Sequence, residues 1–191
     1  MTMSAHDNPK APSPIARPVV VSVLPSAGFA VRIEAGEAER EALAKTHGLA
    51  SVDSFVAELD LKRWRKDGVR IRGTVKARIV QECIVTLAPV PAELDVSVDA
   101  VFLPEGSRLA RPLDDDGAMI VDPDGPDLPE TFDGGVIDAG AVAEEFFELA
   151  IDPYPRAPGA ELEQPADAAD DDGDGGADNP FAKLAALRDK L

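Results

Sequence analysis

The sequence predicts an α+β fold, in which an antiparallel sheet, curled towards a partial barrel, packs against two helices and precedes a disordered acidic C-terminal extension. Three observations support this prediction. Residues 69–79 alternate apolar and mostly cationic side chains with the period of a β-strand. Two short segments are rich in helix-forming residues. Acidic residues, proline and glycine dominate the last part of the chain.

The first elements follow a tail. Residues 1–18 are rich in proline and alanine, and we expect them to be disordered. The β-branched run Val19–Leu24 predicts a short strand, and the alternation in Phe29–Glu34 predicts a second one. Glu37–Lys45 has acidic residues in its first turn, and Gly48 follows it, so we expect a helix that ends there.

Three longer strands are expected to form a meander. Ser54–Trp64 carries apolar residues at alternate positions, and the sequence Lys-Asp-Gly that follows predicts a reverse turn. Val69–Ile79 has the clearest alternation in the chain, and Leu94–Phe102 alternates in the same way. Such strands bury one face of an antiparallel sheet. The residues predicted to be buried are Ile71, Val75, Ile79, Val96 and Val98.

The second half of the chain contains less regular structure. Ala141–Ala150 predicts a second covering helix, with Val142, Phe146 and Leu149 on one face. The composition of residues 106–135 predicts a long acidic loop. The predicted organisation is a disordered tail at 1–18, an α+β domain at 19–156, a disordered acidic linker at 157–178 and a short amphipathic helix at 179–191.

The terminal helix is predicted from its first residues and its apolar stripe. Asn179-Pro180 supplies a cap and a proline at the first helical position, and Phe181, Leu184 and Leu187 follow on one side. The segment is too short to be stable alone. We expect either a docking helix, for this protein's own core or for a partner, or an idle tail.

The charge is unevenly distributed. The chain of 191 residues has a net charge of −17, which argues against a general nucleic-acid binder held by bulk electrostatics. Residues 112–178 hold 21 acidic side chains and a single basic one, Arg156, whereas the remainder holds 15 acidic and 18 basic side chains. Eight of those cations lie between Lys62 and Arg78. A partner could therefore recognise either the basic segment or the acidic part of the chain.

Several classes of function have little support. One cysteine, Cys83, excludes a disulfide framework and a multi-thiolate zinc site, and we expect it to be a buried, inert thiol. His6 and His47 lie near no nucleophile motif, so both are expected to be solvated surface residues. The aspartate runs lack the spacing of a calcium loop. No apolar run approaches a membrane span or a signal peptide core, and a cytoplasmic location without cofactors is expected.

The basic strand permits two interpretations. Its cations could form a sheet face that contacts RNA phosphates. Alternatively, they could pair across the strands with acidic residues of the neighbouring strand, and the pattern favours this interpretation. The acidic candidates are Glu93, Asp95 and Asp99. The candidate partner- or RNA-binding residues are Arg63, Arg65, Arg70, Arg72, Lys76 and Arg78.

Five segments of the sequence contain distinctive motifs. They are the run from Gly73 to Val90, Ile137-Asp138-Ala139-Gly140, Glu144-Glu145, the segment Ile151–Arg156, and the ending Asn179-Pro180-Phe181-Ala182-Lys183-Leu184. Together these motifs resemble the YceD family of large ribosomal RNA subunit accumulation proteins. The resemblance spans about residues 19–191. The residues that carry the family signature are Gly73, Gln81, Cys83, Thr86, Leu87, Pro89, Asp152, Pro153, Tyr154, Pro155 and Arg156. Some relatives have further cysteines in a metal-ribbon-like arrangement, but only Cys83 is present here.

The resemblance implies a non-enzymatic factor that supports accumulation of 23S rRNA or assembly of the large ribosomal subunit. Two mechanisms compete. Residues within 112–178 could mimic RNA and hold a basic ribosomal protein, which the charge arithmetic favours. The basic strand at 62–78 could instead bind rRNA directly. An enzyme, such as a hydrolase, is the remaining alternative. The expected partners are a ribosomal protein, a pre-ribosomal particle or rRNA, with no membrane and no small-molecule substrate.

Overall fold

A computed structural model describes residues 12–107 and 129–161 of the chain. The chain divides into two units, Met1–Pro158 and Gly159–Leu191, and the elements below all belong to the first. The strands are β1 (Pro18–Val20), β2 (Phe29–Glu34), β3 (Ser51–Trp64), β4 (Gly68–Glu82), β5 (Pro89–Pro104), β6 (Glu130–Phe132) and β7 (Val136–Asp138). The helices are α1 (Glu37–Thr46) and α2 (Ala139–Ala150), and a single 3₁₀ turn covers Val21–Val23.

Five strands form the main sheet in the order β2-β3-β4-β5-β6. All neighbours are antiparallel except β5 and β6, which pair in parallel between Phe102–Pro104 and Glu130–Phe132. Strands β1 and β7 form a separate antiparallel pair. Within the described residues the main sheet stays open and does not close into a barrel. The predicted α+β fold with an antiparallel sheet and two helices is confirmed.

The period-two pattern of β4 decides which face of the sheet is buried. Ile71, Val75 and Ile79 are essentially inaccessible to solvent, and Val98 of β5, which pairs with Gly73 on the same face, is also buried. Val96 is only half-buried because β5 lies near the edge of the sheet. We call the face that carries these buried residues the inner face, and the opposite side the outer face. Both names refer to strands β2 to β5.

Gly73 allows β3 and β4 to approach closely in the middle of the sheet. A Cβ atom at this position would lie 1.9 Å from the backbone oxygen of Glu58, a distance that no side chain can adopt without moving the backbone. The residue pairs with Leu59 of β3 and Val98 of β5. Glycine is therefore required here by the packing of one strand against another.

The two helices contribute apolar side chains to the inner face. The carboxylate of Asp138 caps α2 by accepting hydrogen bonds from the backbone nitrogens of Gly140 and Ala141. The ring of Phe147 is fully buried and lies edge-on to Phe55 of β3, with 5.4 Å between ring centroids.

The predicted buried face of α2 is wrong in one position. Leu149 is 78% exposed, because Phe147 rather than Leu149 points into the core.

The N-terminal prediction also needs correction. Residues 12–17, expected to be disordered within the tail 1–18, pack against α2 in the structure. Ile15 is fully buried, and a Cβ at Gly140 would lie 1.9 Å from its backbone oxygen. The backbone nitrogen of Arg17 donates to Asp138 over 2.7 Å. A single apolar residue and two backbone contacts therefore order a segment whose composition resembles a tail.

Other boundaries differ in smaller ways. The strand expected at Val19–Leu24 is limited to β1 and is followed by the 3₁₀ turn, which buries Val21. The acidic loop predicted at 106–135 contains β6, while its residues 108–128 lie outside the described part of the chain. Residue 157, where the linker is predicted to begin, takes part in the fold, because the backbone nitrogen of Ala157 donates to the thiol of Cys83.

We expect Val75→Ala to lower the free energy of unfolding by about 1–3 kcal/mol, because it removes two methyl groups from a fully buried site and leaves a cavity. Chemical denaturation with an unchanged slope would measure the loss. Thr74→Ala is the matched control, since Thr74 is the next residue of β4 and its side chain lies on the outer face. An equal loss in both variants would contradict this assignment of faces.

Candidate functional site

The outer face brings together most of the predicted basic residues. Arg70, Arg72, Lys76 and Arg78 project from alternate positions of β4, and the register places each opposite a residue of β5. Arg72 faces Asp99, Lys76 faces Asp95 and Arg78 faces Glu93. A groove of about 740 Å³ runs over this face and is lined by residues of β3, β4 and β5. The surface is therefore one in which charges of opposite sign oppose each other across strands.

Asp99 is the centre of the tightest ionic contact. Arg70 donates to both of its carboxylate oxygens over 2.7 Å, and Arg72 donates to one of them over 3.1 Å. The hydrogen bond from Arg70 holds the pKa of Asp99 below its ordinary value. The same bond raises the pKa of Arg70. Two of the predicted RNA-binding arginines are thus engaged by one carboxylate.

The remaining charges of the outer face leave no excess of cations. Lys76 pairs with Asp95 over 3.2 Å, whereas Arg78 has no ion pair among the described residues. Strands β2 to β5 place six cations on this face: Arg32, Lys62, Arg70, Arg72, Lys76 and Arg78. They place seven carboxylates there: Glu34, Glu58, Asp60, Glu82, Glu93, Asp95 and Asp99. The strand is basic, but the face is not.

Two predicted basic residues lie apart from this face. Arg63 donates its guanidinium hydrogens to the backbone oxygens of Ser22 and Leu24, at 3.0 and 3.2 Å, and so anchors the segment that follows β1. Arg65 follows β3 with a φ of 54°. Its guanidinium lies 4.3 Å from the centre of the Trp64 ring, in a cation–π contact. The structure therefore places four of the six candidates on the outer face, one at an anchoring contact and one in a turn.

The family-signature residues form a second site, which we call the signature junction: residues 81–89 together with 152–157. The buried side chain of Gln81 donates to the backbone oxygen of Asp152 over 2.8 Å. The backbone nitrogen of Ile84 donates to the backbone oxygen of the buried Pro155 over 3.0 Å. Two segments some 70 residues apart in sequence are thus joined where α2 ends. Gly73, described above, is the one signature residue that lies away from the junction.

Local hydrogen bonds shape the turn between β4 and β5. The backbone nitrogen of Cys83 donates to the oxygen of Ala88 over 2.8 Å, and the nitrogen of Leu87 donates to the oxygen of Cys83 over 2.9 Å. Leu87 has a φ of 59°, in the left-handed region. Pro89 then begins β5. On the other segment, a carboxylate oxygen of Asp152 accepts from the nitrogen of Tyr154 over 2.9 Å.

Cys83 is buried, as predicted, but its surroundings are not inert. Its Sγ accepts hydrogen bonds from the backbone nitrogens of Val85, Thr86 and Ala157, at 3.4, 3.4 and 3.3 Å. The bond from Ala157, followed by the side chain of Thr86, lowers the pKa of this thiol to about 6, against the opposing effect of burial. Sequence spacing gave no sign of this, because the strongest donor is distant in sequence.

The junction also presents apolar side chains to solvent. Leu87 is 71% exposed and Tyr154 is 70% exposed, while Ile84 is about half exposed. Pro153 and Arg156 of the same segment are exposed as well. The signature motifs therefore have a structural part, made by Gln81, Cys83 and Pro155, and a surface part.

His47 corrects another expectation. Its side chain is only 6% exposed, and Nε2 lies 3.0 Å from a carboxylate oxygen of Glu144 on α2. The ring packs edge-on against Phe147, with 5.5 Å between centroids. His47 is therefore not a solvated surface residue but a link between the end of α1 and α2. A sequence signal could not reveal this, because Glu144 lies 97 positions away.

Some predicted features fall outside the described residues. Phe181, Leu184 and Leu187 of the candidate docking helix lie there, as do most of the acidic linker and His6. Within residues 12–107 and 129–161, no group of three or more His, Cys, Asp or Glu side chains is placed to hold a metal ion. In the same residues, neither helix has the length and apolar character needed to cross a membrane.

We expect the Cys83 thiol to titrate with a midpoint near pH 6, well below the value of about 8.5 for a free cysteine. The ultraviolet absorbance of the thiolate in reducing buffer would report the midpoint, with Cys83→Ser as the blank. Because the pKa is lower in the folded state, the stability of the wild type relative to Cys83→Ala should be constant at low pH. It should rise as the pH increases from the folded to the unfolded pKa.

Thr86→Val provides the control for this titration. The substitution keeps the shape of the side chain and removes its hydroxyl group, so the midpoint should move upward while the backbone donors remain. A wild-type midpoint near that of a free cysteine would show that the three backbone contacts do not stabilise the thiolate.

Comparison with known proteins identifies the family. A family model described as "Large ribosomal RNA subunit accumulation protein YceD" matches residues 71–188, which is more than half of the chain. The match includes most of β4, all of β5 and α2, and the whole of the signature junction. Searches of curated proteins and of solved structures gave no match. The chain therefore belongs to the YceD family, whose name implies a role in the accumulation of large-subunit ribosomal RNA.

Proposed function

We propose that this protein supports large-subunit rRNA accumulation by holding a basic ribosomal protein rather than by binding rRNA itself. The observation that carries the proposal is the cross-strand pairing on the outer face. The basic strand is opposed by at least as many carboxylates as cations. The net charge of −17 is then available to attract a cationic partner and to repel RNA.

The acidic residues would act as a substitute for RNA phosphates. Residues 112–178 hold 21 acidic side chains against Arg156 alone, so this part of the sequence has the charge density that a basic protein recognises. A free ribosomal protein is strongly cationic and is stabilised by any partner that neutralises it. Holding the ribosomal protein until assembly would keep it available for binding to newly made rRNA.

We propose further that the protein acts by binding and not by catalysis. The two side chains that are the best candidates for a catalytic role, His47 and Cys83, each contact structural groups and do not contact each other. His47 contacts Glu144 and a phenylalanine ring in the core. In the described part of the chain, the hydrogen-bond partners of the Cys83 thiol include three backbone amides and no general base. Neither arrangement presents a nucleophile and a base to a common substrate.

Direct rRNA binding is the second candidate, and one observation favours it. Arg78 projects from β4 into the groove of the outer face without an ion pair among the described residues. Lys76 is its neighbour on the same side of the strand, Arg72 lies farther along that side, and the ion pairs of both are exposed. Exposed ion pairs are weak and could exchange a carboxylate for a phosphate. The two candidates predict opposite results with RNA.

We expect 23S rRNA fragments to bind the protein more weakly than about 1 μM at physiological salt, because the acidic residues repel the phosphates. Purified basic large-subunit ribosomal proteins should bind more tightly, with an affinity that falls as salt rises. Filter binding for RNA, and fluorescence anisotropy for the labelled ribosomal proteins, would measure the two affinities.

The triple variant Arg70→Gln, Arg72→Gln, Arg78→Gln separates the candidates. It should leave ribosomal-protein affinity unchanged or slightly tighter, since it removes positive charge from an acidic partner. Arg32→Gln is the matched control, because Arg32 lies on the same face but outside the candidate set. Submicromolar RNA binding by the wild type that the triple variant abolishes would reject the holder mechanism.

We also expect neutralisation of the acidic sequence to weaken the complex with a basic ribosomal protein. Replacing the seven carboxylates of residues 163–178 with the corresponding amides keeps the length and removes the charge. The affinity should fall, and its dependence on salt should become shallower, because fewer charged contacts are screened. Unchanged affinity and unchanged salt dependence would show that these residues do not take part.

A further inference from the structure

Among residues 12–107 and 129–161, most of one edge of strand β5 is left without a paired strand. Its 16 residues pair with β4 along one side from Pro89 to Phe102, but β6 covers the other side only from Phe102 to Pro104. None of the described residues pairs with the remaining edge, residues 89–101. We call this stretch the β5 edge. An edge of this length offers a row of backbone donors and acceptors to a further strand.

The register determines which residues face outward. The nitrogen of Cys83 donates to the oxygen of Ala88, so the pair 83–88 is hydrogen-bonded and the next pair, Glu82–Pro89, is not. Alternation along the antiparallel ladder then directs the backbone groups of the odd-numbered residues of β5 away from β4. Pro89 and Pro91 agree with this, since proline in a sheet occurs where no ladder donor is needed. The outward donors are the nitrogens of Glu93, Asp95, Ser97, Asp99 and Val101.

The side chains beside this edge define the kind of strand that fits it. On the outer face β5 presents Glu93, Asp95 and Asp99, and the strand has no lysine or arginine. Glu93 has no ion pair among the described residues. On the inner face Leu94 and Val96 are only half-buried, although they pack on the core. A neighbouring strand would therefore meet carboxylates on one side and apolar side chains on the other.

We propose that the β5 edge binds an extended segment of a basic partner protein by strand addition, with its cationic side chains beside Glu93 and Asp95 and its apolar side chains beside Leu94 and Val96. Oppositely charged neighbours across strands are favourable, and apolar neighbours would complete the burial of the inner face. The inference rests on the proposed function, and it names the segment of the held protein that is recognised: an extended arm that alternates basic and apolar residues.

The test uses the full chain and a defined probe, a fluorescent peptide of alternating lysine and valine, about eight residues long, the length of an ordinary strand. Ser97→Pro removes one outward donor and places a ring on the edge. Proline is compatible with the β4 ladder there, as Pro91 already is at an equivalent position. Ser97→Ala is the matched control, because it keeps both the backbone donor and the net charge.

We expect Ser97→Pro to weaken peptide binding about tenfold, as the loss of one or two hydrogen bonds of about 1 kcal/mol each predicts. Ser97→Ala should bind like the wild type. A peptide with N-methyl groups on alternate residues should lose affinity for the wild type to a similar extent, and this comparison holds even if Ser97→Pro fails to fold. Since charge is constant in every arm, general attraction to the acidic sequence cannot produce these differences.

Equal affinities of Ser97→Pro and Ser97→Ala for the unmodified peptide would overturn the inference. So would slow hydrogen exchange of the outward amides of Glu93, Asp95 and Ser97 in the free protein, because it would show that this chain already covers its own edge.

Capture of purified large-subunit ribosomal proteins separates the edge inference from the proposed holder function. If Ser97→Pro captures them as well as the wild type does, the edge inference fails and the holder function stands. If the wild type captures none, the holder function fails, and the peptide comparison still decides on the edge.

Discussion

The pairing of β4 between two neighbours is the constraint on which the rest of this structure depends. Its register with β3 and β5 requires Gly73, because any side chain at that position would collide with the backbone of β3. Once the register is fixed, a shift of one residue would move the fully buried side chains of β4, Ile71, Val75 and Ile79, to solvent. The same register sets Arg72 opposite Asp99 and Lys76 opposite Asp95. Core packing and surface charge are therefore consequences of a single alignment.

The signature junction connects that sheet to the second helix. Gln81, on the inner face of β4, donates a hydrogen bond to Asp152, two residues beyond the end of α2. The Cys83 thiol accepts from the backbone nitrogen of Ala157, five residues farther along. The motifs of this family thus hold the end of α2 against the β4–β5 turn. The buried members, Gln81, Cys83 and Pro155, have a structural role in this contact. The exposed members, Leu87 and Tyr154, have no comparable structural role in the described residues.

The sequence was most informative where a pattern is local. The alternation of β4 correctly indicated the buried face, and the acidic first turn of α1 indicated a helix. Features that depend on distant partners were missed. Ile15 is buried against α2, and His47 contacts Glu144. The residues near Ile15 and His47 in the sequence give no indication of either contact. The face of α2 was assigned to Leu149 because periodicity alone does not distinguish it from Phe147, whose place in the core depends on contact with Phe55.

The candidate site divides in the same way. The cross-strand partners of Arg72 and Lys76 could be inferred from period and charge, since antiparallel neighbours place their side chains directly opposite each other. The role of Arg63 could not, because its acceptors are backbone oxygens of a segment near the start of the chain. The low pKa of Cys83 likewise requires Ala157, whose position depends on the whole of α2.

The contact between the N-terminal segment and α2 has a consequence for the order of events during synthesis. The nitrogen of Arg17 and the carboxylate of Asp138 are 121 positions apart, and Val19 pairs with Ile137. While the chain grows, strands β2 to β5 can all pair with one another by residue 104, whereas Ile15 can meet Gly140 only after α2 leaves the ribosome. This N-terminal segment is translated early but is thus among the last described parts of the chain to reach its final place, and until then Ile15 and Val19 are apolar groups in water.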